Sequence, residues 1–207
     1  MSGIAKTKAK ECFYQKKYTE ALKLFMEEED WYAVGLCSLL LGDTESAEKY
    51  WGKKRNDCPA SDFGLCILEY IKLKTTKMPT FFQTRAQLEI YLNLFIENNL
   101  IEWAENLISC CDFLYSSNPE TYKFIARALF ANGYFKLAMR FCKKTLNIYF
   151  CDPEALLILA QCNFLLGNLG EALDSINRTL DMVPEYYPAI LLKGILKKEI
   201  EKRQRKN

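Results

Sequence analysis

The two residues of this chain whose types and spacing most suggest binding chemistry are Lys123 and Arg127. They are four positions apart, which places both side chains on one face of a helix. An ammonium and a guanidinium group side by side can hold a carboxylate of a partner molecule. The same spacing also occurs on solvated helix faces that bind nothing, and the two residues alone leave both interpretations open.

Histidine is absent from all 207 residues, and its absence removes most familiar catalytic and metal sites. Without histidine there is no Ser-His-Asp or Cys-His nucleophile, no HExxH zinc protease and no zinc finger that uses histidine. The sequence also contains no glycine-rich phosphate loop and no CxxC pair for a cysteine-only zinc site. We therefore expect no enzyme, no cofactor and no metal.

The overall composition argues against nucleic acid and membrane as partners of this chain. Lysine and arginine number 28 against 26 aspartates and glutamates, so the chain as a whole has no basic field to attract nucleic acid. The longest apolar run, from Trp31 to Gly42, is too short for a membrane span, which takes about 20 residues. The lysine-containing N-terminus does not resemble a secretory signal. We expect an intracellular protein, in the cytoplasm or nucleus, that binds neither nucleic acid nor membrane.

Two charged stretches have structural as well as functional interpretations. The acidic run 27–30 falls at a predicted helix junction, where a solvated loop is favoured over a metal site because consecutive residues of a helix do not face one another. The terminal segment 193–207 has seven basic and two acidic residues. It predicts a charged terminal helix, with contact to RNA or an acidic partner as the alternative.

Nine cysteines occur without regular spacing, and in an intracellular chain they are expected to be thiols rather than a disulfide framework. Several lie on apolar helix stripes, where cysteine acts as a small core hydrophobe. These residues are Cys12, Cys37, Cys66 and Cys162.

The elements that position these residues emerge when the chain is shifted against itself by 34 residues. Two sets of equivalent positions then align in the C-terminal half. The small residues are Ala104, Ala138 and Ala172, and the turn residues are Asn99, Gly133 and Gly167. Apolar residues recur at spacings of three and four, which predicts two amphipathic helices joined by a turn in each repeat. The small alanines allow the two helices to approach closely.

The helix starts carry their own signals. Asp152 precedes Pro153, and these residue types are favoured at the N-cap and at the first helical position. The segment 118–120, Asn-Pro-Glu, predicts the same start one repeat earlier. A helix-turn-helix period of this length is typical of an α-solenoid. The sequence therefore predicts an all-α solenoid of about twelve helices in six imperfect repeats.

The two halves of the chain are predicted to differ in regularity. Residues 1–78 form irregular repeats, in which the tripeptide 35–37 (Gly-Leu-Cys) recurs at 64–66. Residues 72–79 are predicted to be a connector, followed by a long helix from about Phe81 to Asn98. Residues 79–207 form regular repeats that end in a capping helix, and both halves belong to one continuous solenoid.

Residues 85–196 resemble the tetratricopeptide repeat (TPR) family. The repeat that begins at Pro153 has the family's favoured residues at positions 4, 7, 8, 20 and 32, which are Leu156, Leu159, Ala160, Ala172 and Pro184. The repeat that begins at Pro119 matches at Tyr122, Ile125, Ala126 and Ala138 and departs at Phe150. The repeat from Arg85 keeps Leu88, Tyr91 and Ala104. The resemblance implies a right-handed superhelix that binds proteins or peptides.

The resemblance also implies where a partner binds, because the first helix of each repeat lines a concave groove in this family. The candidate groove residues are Asn93, Lys123, Arg127, Phe130, Gln161 and Phe164. The carboxylate clamp of chaperone-binding members is absent, because its remaining positions hold Ile158, Pro188 and Leu192. A non-catalytic interaction scaffold or adaptor is the expected function.

Within the family, the shortened N-terminal repeats and the segment 113–119 are similar to the scaffold subunits of the anaphase-promoting complex, a ubiquitin ligase of the cell cycle. In those subunits the N-terminal repeats hold a second copy of the chain. The resemblance therefore implies a homodimer, with a candidate surface of Tyr32, Leu36, Leu39, Leu65 and Leu68. The alternative is a chaperone-like carrier that uses the same apolar residues for an extended client peptide, and the oligomeric state separates the two.

Overall fold

The structure is a computed structural model that describes residues 2–53 and 57–205, with side chains from Lys8 onward. In these residues the chain forms thirteen helices and no strand, so the all-α prediction is confirmed. The helices divide into two compact bodies. The N-terminal body comprises Met1–Gln87 and Leu94–Asn118, and the C-terminal body comprises Leu88–Asn93 and Pro119–Asn207. The predicted division into irregular and regular repeats stays a prediction.

The helices of the N-terminal body are α1 (Ser2–Tyr14), α2 (Tyr18–Glu27), α3 (Trp31–Leu40), α4 (Thr44–Gly52), α5 (Pro59–Tyr70), α6 (Phe81–Glu97), α7 (Ile101–Ser109) and α8 (Cys111–Ser117). From α1 to α5 each helix of the N-terminal body packs on the next, and α5 also contacts α7, which contacts α8. The long helix expected from Phe81 is α6, and Thr80 begins it with a capping box to Gln83. The middle of α6 contributes to the C-terminal body.

The C-terminal body is a stack of helices in which each packs on the next. They are α9 (Thr121–Ala131), α10 (Phe135–Ile148), α11 (Pro153–Leu165), α12 (Leu169–Met182) and α13 (Tyr187–Gln204). Helix α11 also contacts α9 and α13, so the first helices of successive repeats are neighbours. This nearest-neighbour packing is what the 34-residue period predicts.

The turn residues of the repeats have the backbone conformation that the alignment requires. Gly133 and Gly167 have φ angles of 81° and 82°, and the equivalent Asn99 has 59°. Positive φ favours glycine and tolerates asparagine, which explains why only these two residue types occupy the position. The predicted turns are confirmed.

The two predicted helix starts have different outcomes. The Asp152 carboxylate accepts a hydrogen bond from the Ala155 N–H, and Pro153 is the first residue of α11, as predicted. The prediction at 118–120 is wrong, because α9 begins only at Thr121. Asn118 instead ends α8 in an extended conformation, and its amide donates to the Phe81 carbonyl oxygen. The Asn118 side chain therefore links the end of α8 to α6 and does not cap α9.

The recurring Gly-Leu-Cys tripeptide has a packing explanation in the N-terminal body. Trp51 of α4 is fully buried between Gly35 of α3 and Gly64 of α5. Its indole N–H donates to the Tyr32 carbonyl oxygen at 3.1 Å. The two glycines leave room for one tryptophan, and this contact sets the spacing of three successive helices.

Small residues also allow close packing of helices in the C-terminal body, where Ala138 and Ala172 are fully buried. The core at its C-terminal end combines residues of α11, α12 and α13: Leu157, Ala160, Leu169, Ala172, Ile176, Ala189, Leu192 and Leu196. Helix α13 covers this cluster with one face, while Lys197 and Lys198 on its other face are exposed. The predicted capping role of α13 stays a prediction.

Candidate functional site

The predicted cation pair lies inside the C-terminal body, at the junction of α6, α9 and α11. Lys123 has a side chain that is 9% exposed, and its Nζ atom contacts three carboxylates. The distances are 2.9 Å to Asp152, 3.1 Å to Glu120 and 3.2 Å to Glu154. Asp152 is also the N-cap of α11, so one carboxylate both starts the helix and holds the neighbouring repeat.

Arg127 lies one turn further along α9 and extends the same network. Its guanidinium contacts Glu89 of α6 at 2.6 Å and Glu154 of α11 at 2.7 Å. Beyond it, the Asn132 amide donates to the Asn93 side-chain oxygen at 2.8 Å. A continuous series of polar contacts therefore joins the first helices of three successive repeats.

The network keeps both cations charged. Burial by itself lowers the pKa of Lys123, but the hydrogen bond and charge of Asp152, together with Glu120 and Glu154, raise it above the ordinary value of lysine. The pKa of Arg127 is raised in the same way, because Glu154 and Glu89 outweigh the desolvation of the guanidinium. Both residues thus act as permanent cations between carboxylates of their own chain.

This geometry corrects the carboxylate-binding interpretation of Lys123 and Arg127. Their partners are carboxylates of the same chain, and the network contains two cations and four carboxylates, so its formal charge is −2. The alternative of a solvated helix face is also wrong for Lys123, since the side chain is buried. The pair links α9 to α6 and to the start of α11, and its role in binding a partner stays a prediction.

The remaining groove residues are half-buried and lie on the expected helices. Phe130 packs against Phe135 with ring centroids 5.7 Å apart, and Phe164 packs against the core cluster of α11, α12 and α13. Gln161 is on α11, and the Asn93 side chain accepts the hydrogen bond from Asn132. Their role in binding a partner stays a prediction.

The predicted dimer surface is largely interior. Leu39 is fully buried, and Leu36 and Leu68 are only 8% and 6% exposed. Tyr32 and Leu65 are half-buried. Every residue of 34–40 is buried because α3 is covered on all sides in the N-terminal body. The three buried leucines are therefore core residues in this structure, and only Tyr32 and Leu65 present surface to a second copy.

Sequence reasoning missed a cavity of about 400 Å³ in the N-terminal body. It lies where α2 meets α3, opposite the start of α5, and its lining residues are acidic, aromatic or small. They are Glu28, Glu29, Asp30, Trp31, Tyr32, Asp57, Cys58 and Ser61, and we call this site the acidic pocket. The prediction of a plain solvated loop at 27–30 is wrong for Glu28, which is half-buried with one carboxylate oxygen fully enclosed.

The terminal basic segment forms the predicted charged helix as far as it is described. Helix α13 continues to Gln204, and the Arg203 guanidinium donates to the Gly167 carbonyl oxygen at 3.3 Å and contacts Glu199 at 3.4 Å. None of the described helices is both long and apolar enough to cross a bilayer.

The cysteines on the apolar stripes are core residues, as predicted. Cys12, Cys37, Cys66 and Cys162 are buried, and all nine cysteines are free thiols. Burial raises the pKa of Cys37 to about 12, with a further contribution from the charge of Asp30, and raises that of Cys162 to about 11. Both thiols therefore stay protonated at neutral pH and are poor nucleophiles.

Comparison with known proteins agrees with the repeat pattern. Residues 97–179, which include α9 and α10, match the family described as anaphase-promoting complex, cyclosome, subunit 3. That family is of the tetratricopeptide-repeat type. A solved structure, the C-terminal part of a TPR repeat-containing protein from Cytophaga hutchinsonii, is similar with 17% identity and a TM-score of 0.47 over 92% of this chain and 69% of that one. No curated protein matches the chain.

Proposed function

We propose that this chain is a non-catalytic scaffold that holds other proteins in a multi-protein assembly. The observation that carries the proposal is the match of residues 97–179 to a TPR-type subunit family, in a segment that the structure folds into stacked helix pairs. In such stacks each helix pair buries its apolar face against its neighbours, so the outer surfaces remain available to partners.

The finer proposal concerns the kind of assembly. We propose a ubiquitin ligase complex of the cell cycle, in the cytoplasm or nucleus, and the description of the matching family as a subunit of the anaphase-promoting complex supports this. The internal neutralisation of Lys123 and Arg127 supports a structural role for the first helices. Rigid connections between repeats keep binding surfaces at fixed distances, which an assembly scaffold needs.

We further propose a homodimer through the N-terminal body. Tyr32 and Leu65 are the residues of the predicted surface that remain partly exposed, and they lie on α3 and α5, the two helices on either side of Trp51. A two-fold interface uses the same patch on both copies, so single changes there act twice. Sedimentation equilibrium of the purified chain measures this state directly.

The experiment that tests the scaffold is affinity purification of the tagged chain at moderate salt, followed by quantitative mass spectrometry. A stoichiometric set of the same large proteins supports a scaffold subunit, and ubiquitin ligase subunits among them support the specific complex. A stoichiometric set without ligase subunits keeps the scaffold and rejects the ubiquitin ligase.

The chaperone-like carrier gives a different result in the same experiment. It predicts many substoichiometric clients that are displaced by competing peptides, and a monomer with an apolar groove. The groove side of α6, α9 and α11 instead carries a polar network of carboxylates and cations. This observation favours the scaffold.

A further inference from the structure

The acidic pocket brings four carboxylate side chains to one place in the N-terminal body. Glu28, Glu29, Asp30 and Asp57 all line it. Within residues 2–53 and 57–205, none of these four carboxylates takes part in an ion pair. Only Asp30 has a defined internal role, because one of its oxygens accepts the Ala33 N–H at the start of α3.

Two polar atoms at the pocket lack the hydrogen-bond partners that burial demands. The Glu28 Oε1 atom is enclosed and has no partner among the described residues. The Ser61 Oγ atom likewise has none, and the Ser61 residue is 0% exposed. Buried polar groups in native proteins are nearly always satisfied, and an unsatisfied carboxylate oxygen is especially costly. A hydrogen-bond donor brought into the pocket by a second molecule would satisfy these atoms.

The aromatic residues of the pocket are suited to the same kind of ligand. The Nζ atom of Lys53 lies 3.8 Å from the centroid of the Trp31 ring, so this ring already attracts one cation. Trp31 also stacks on Tyr50 with an angle of 5° between the rings, which holds the indole in place beside the acidic residues. An organic cation in the pocket has both carboxylates and the Trp31 side chain among the lining residues.

A metal ion does not suit this arrangement. Throughout the part of the chain that the structure describes, no three carboxylate or thiol groups converge closely enough to hold one. A cavity of about 400 Å³ is also far larger than a bare ion requires. A long side chain with several N–H donors can instead bond to more than one carboxylate at once.

We propose that the acidic pocket binds a basic side chain, lysine or arginine, presented by a partner protein. This inference rests on the proposed scaffold function and names the chemistry of one of its contacts. The entering cation supplies the donors that Glu28 Oε1 and Ser61 Oγ lack and neutralises part of the charge of Glu29 and Asp57. The site lies in the N-terminal body, and its lining residues are outside the matched segment 97–179 in the sequence.

The test is a titration of the ¹⁵N-labelled full-length chain by NMR with N-acetyl-arginine methylamide and N-acetyl-lysine methylamide. N-acetyl-citrulline methylamide is the matched neutral probe, because it has nearly the shape of the arginine derivative without its charge. The expected result is saturable shifts of the amides of residues 28–32 and 57–61 with at least one basic probe and none with citrulline. The stronger of the two basic probes identifies the preferred side chain.

Two isosteric variants, Glu28→Gln and Asp57→Asn, test the pocket itself. Each is expected to weaken binding of the basic probe about tenfold, since a charge-assisted hydrogen bond is lost. Glu27→Gln is the matched control, because Glu27 is the exposed neighbour on α2 and does not line the pocket. Circular dichroism at the same temperature verifies that the variants remain folded.

The proposal is overturned by three results: no saturable shifts with either basic probe, equal shifts with citrulline, or binding that the two pocket variants leave unchanged. Its failure is distinguishable from failure of the scaffold function. A stoichiometric protein set without binding of the basic probes leaves the scaffold intact and removes the pocket. Specific binding of a basic probe without a stoichiometric set keeps the pocket and removes the scaffold.

Discussion

A Cβ atom placed on Gly35 would lie 2.3 Å from the Nε1 atom of Trp51. The backbone of α3 thus touches the indole directly, and Gly64 of α5 touches its other side, where a Cβ would lie 2.8 Å from the ring. Because both glycines are helical and neither has positive φ, their conformation does not require glycine. Glycine is required at both positions because the helix backbone lies so close to the Trp51 ring.

The substitution Gly35→Ala is therefore expected to lower the free energy of unfolding of the chain by about 2–3 kcal/mol. The added methyl group collides with a fully buried ring whose N–H is fixed to the Tyr32 carbonyl oxygen, so the ring cannot move without losing that bond. Urea denaturation followed by the fluorescence of the tryptophans measures the change.

Gly52→Ala is the matched control for this prediction. Gly52 is also helical, but no atom lies within 4 Å of its added Cβ. Alanine has the higher helix propensity, so this variant is expected to be neutral or slightly stabilising. If Gly35→Ala were as stable as Gly52→Ala, the backbone of α3 would not lie against the Trp51 ring.

The repeats and turns could be predicted from the sequence because their signals are local. A positive φ at Gly133 favours glycine independently of the surrounding residues. The Asp152 carboxylate caps α11 by accepting the N–H of Ala155, only three residues further along the chain. Apolar spacing likewise defines the buried stripe of a single helix. These signals placed α6 and the start of α11 to within a residue, and the start of α9 to within a few residues.

The contacts between helices could not be predicted in the same way, because they depend on which faces meet. The same Lys123 side chain is free or buried according to whether Asp152, 29 positions away, approaches it. Leu36 and Leu65 occupy equivalent places in the repeated tripeptide, yet one is core and the other half-buried. The acidic pocket likewise needs residues of α2, α3 and the start of α5 in one place.

Leu36 and Leu65 give a prediction that separates core from interface. Leu36→Glu is expected to unfold the N-terminal body, because it buries a charge without a partner. Leu65→Glu is expected to keep the melting temperature within a few degrees and, if the chain dimerises as proposed, to convert it to monomer. Differential scanning calorimetry and sedimentation equilibrium measure the two effects. A dimer that survives Leu65→Glu would show that its interface lies elsewhere.

Lys123→Met tests the ion-pair network of the C-terminal body. Methionine keeps most of the apolar stem but removes the ammonium from Asp152, Glu120 and Glu154, so the free energy of unfolding is expected to fall by about 2 kcal/mol. Lys136→Met, at an exposed position of α10, is the control and is expected to change little.

Asp152→Asn completes a double-mutant cycle with Lys123→Met. Asparagine can still cap α11, so the single change removes mainly the charge. The double variant is expected to be more stable than the sum of the single changes indicates, since Asp152 is no longer left as an unpaired carboxylate. Additive effects in urea denaturation would mean that the two groups do not interact in solution.

Substitutions of Gly133 test whether the turn position requires a positive φ in every repeat. Gly133→Ala is expected to cost about 1 kcal/mol, because alanine at a φ of 81° is strained although no atom obstructs its Cβ. Gly133→Asn is expected to cost less, because Asn99 occupies the equivalent place with a φ of 59°. The reverse order of the two melting temperatures would contradict the equivalence.

The buried thiols predict how stability depends on pH. In the unfolded chain a cysteine loses its proton at about pH 8.5, whereas burial raises the pKa of Cys37 to about 12 and that of Cys162 to about 11. A raised pKa means that the folded chain holds the proton more tightly. The contribution to stability is therefore complete below about pH 8.5 and declines as the pH rises towards the folded values.

At pH 10 each of these thiols is expected to reduce the free energy of unfolding by about 2 kcal/mol relative to pH 7.5. Cys162→Ala removes one such group, so its stability is expected to fall less steeply between the two pH values, whatever its absolute value. Cys151→Ala is the control, because Cys151 is exposed. The measurement is urea denaturation at pH 7.5 and pH 10. An equal decline in both variants would show that the Cys162 thiol ionises as readily in the folded chain as in the unfolded one, and that α11 opens to water around it.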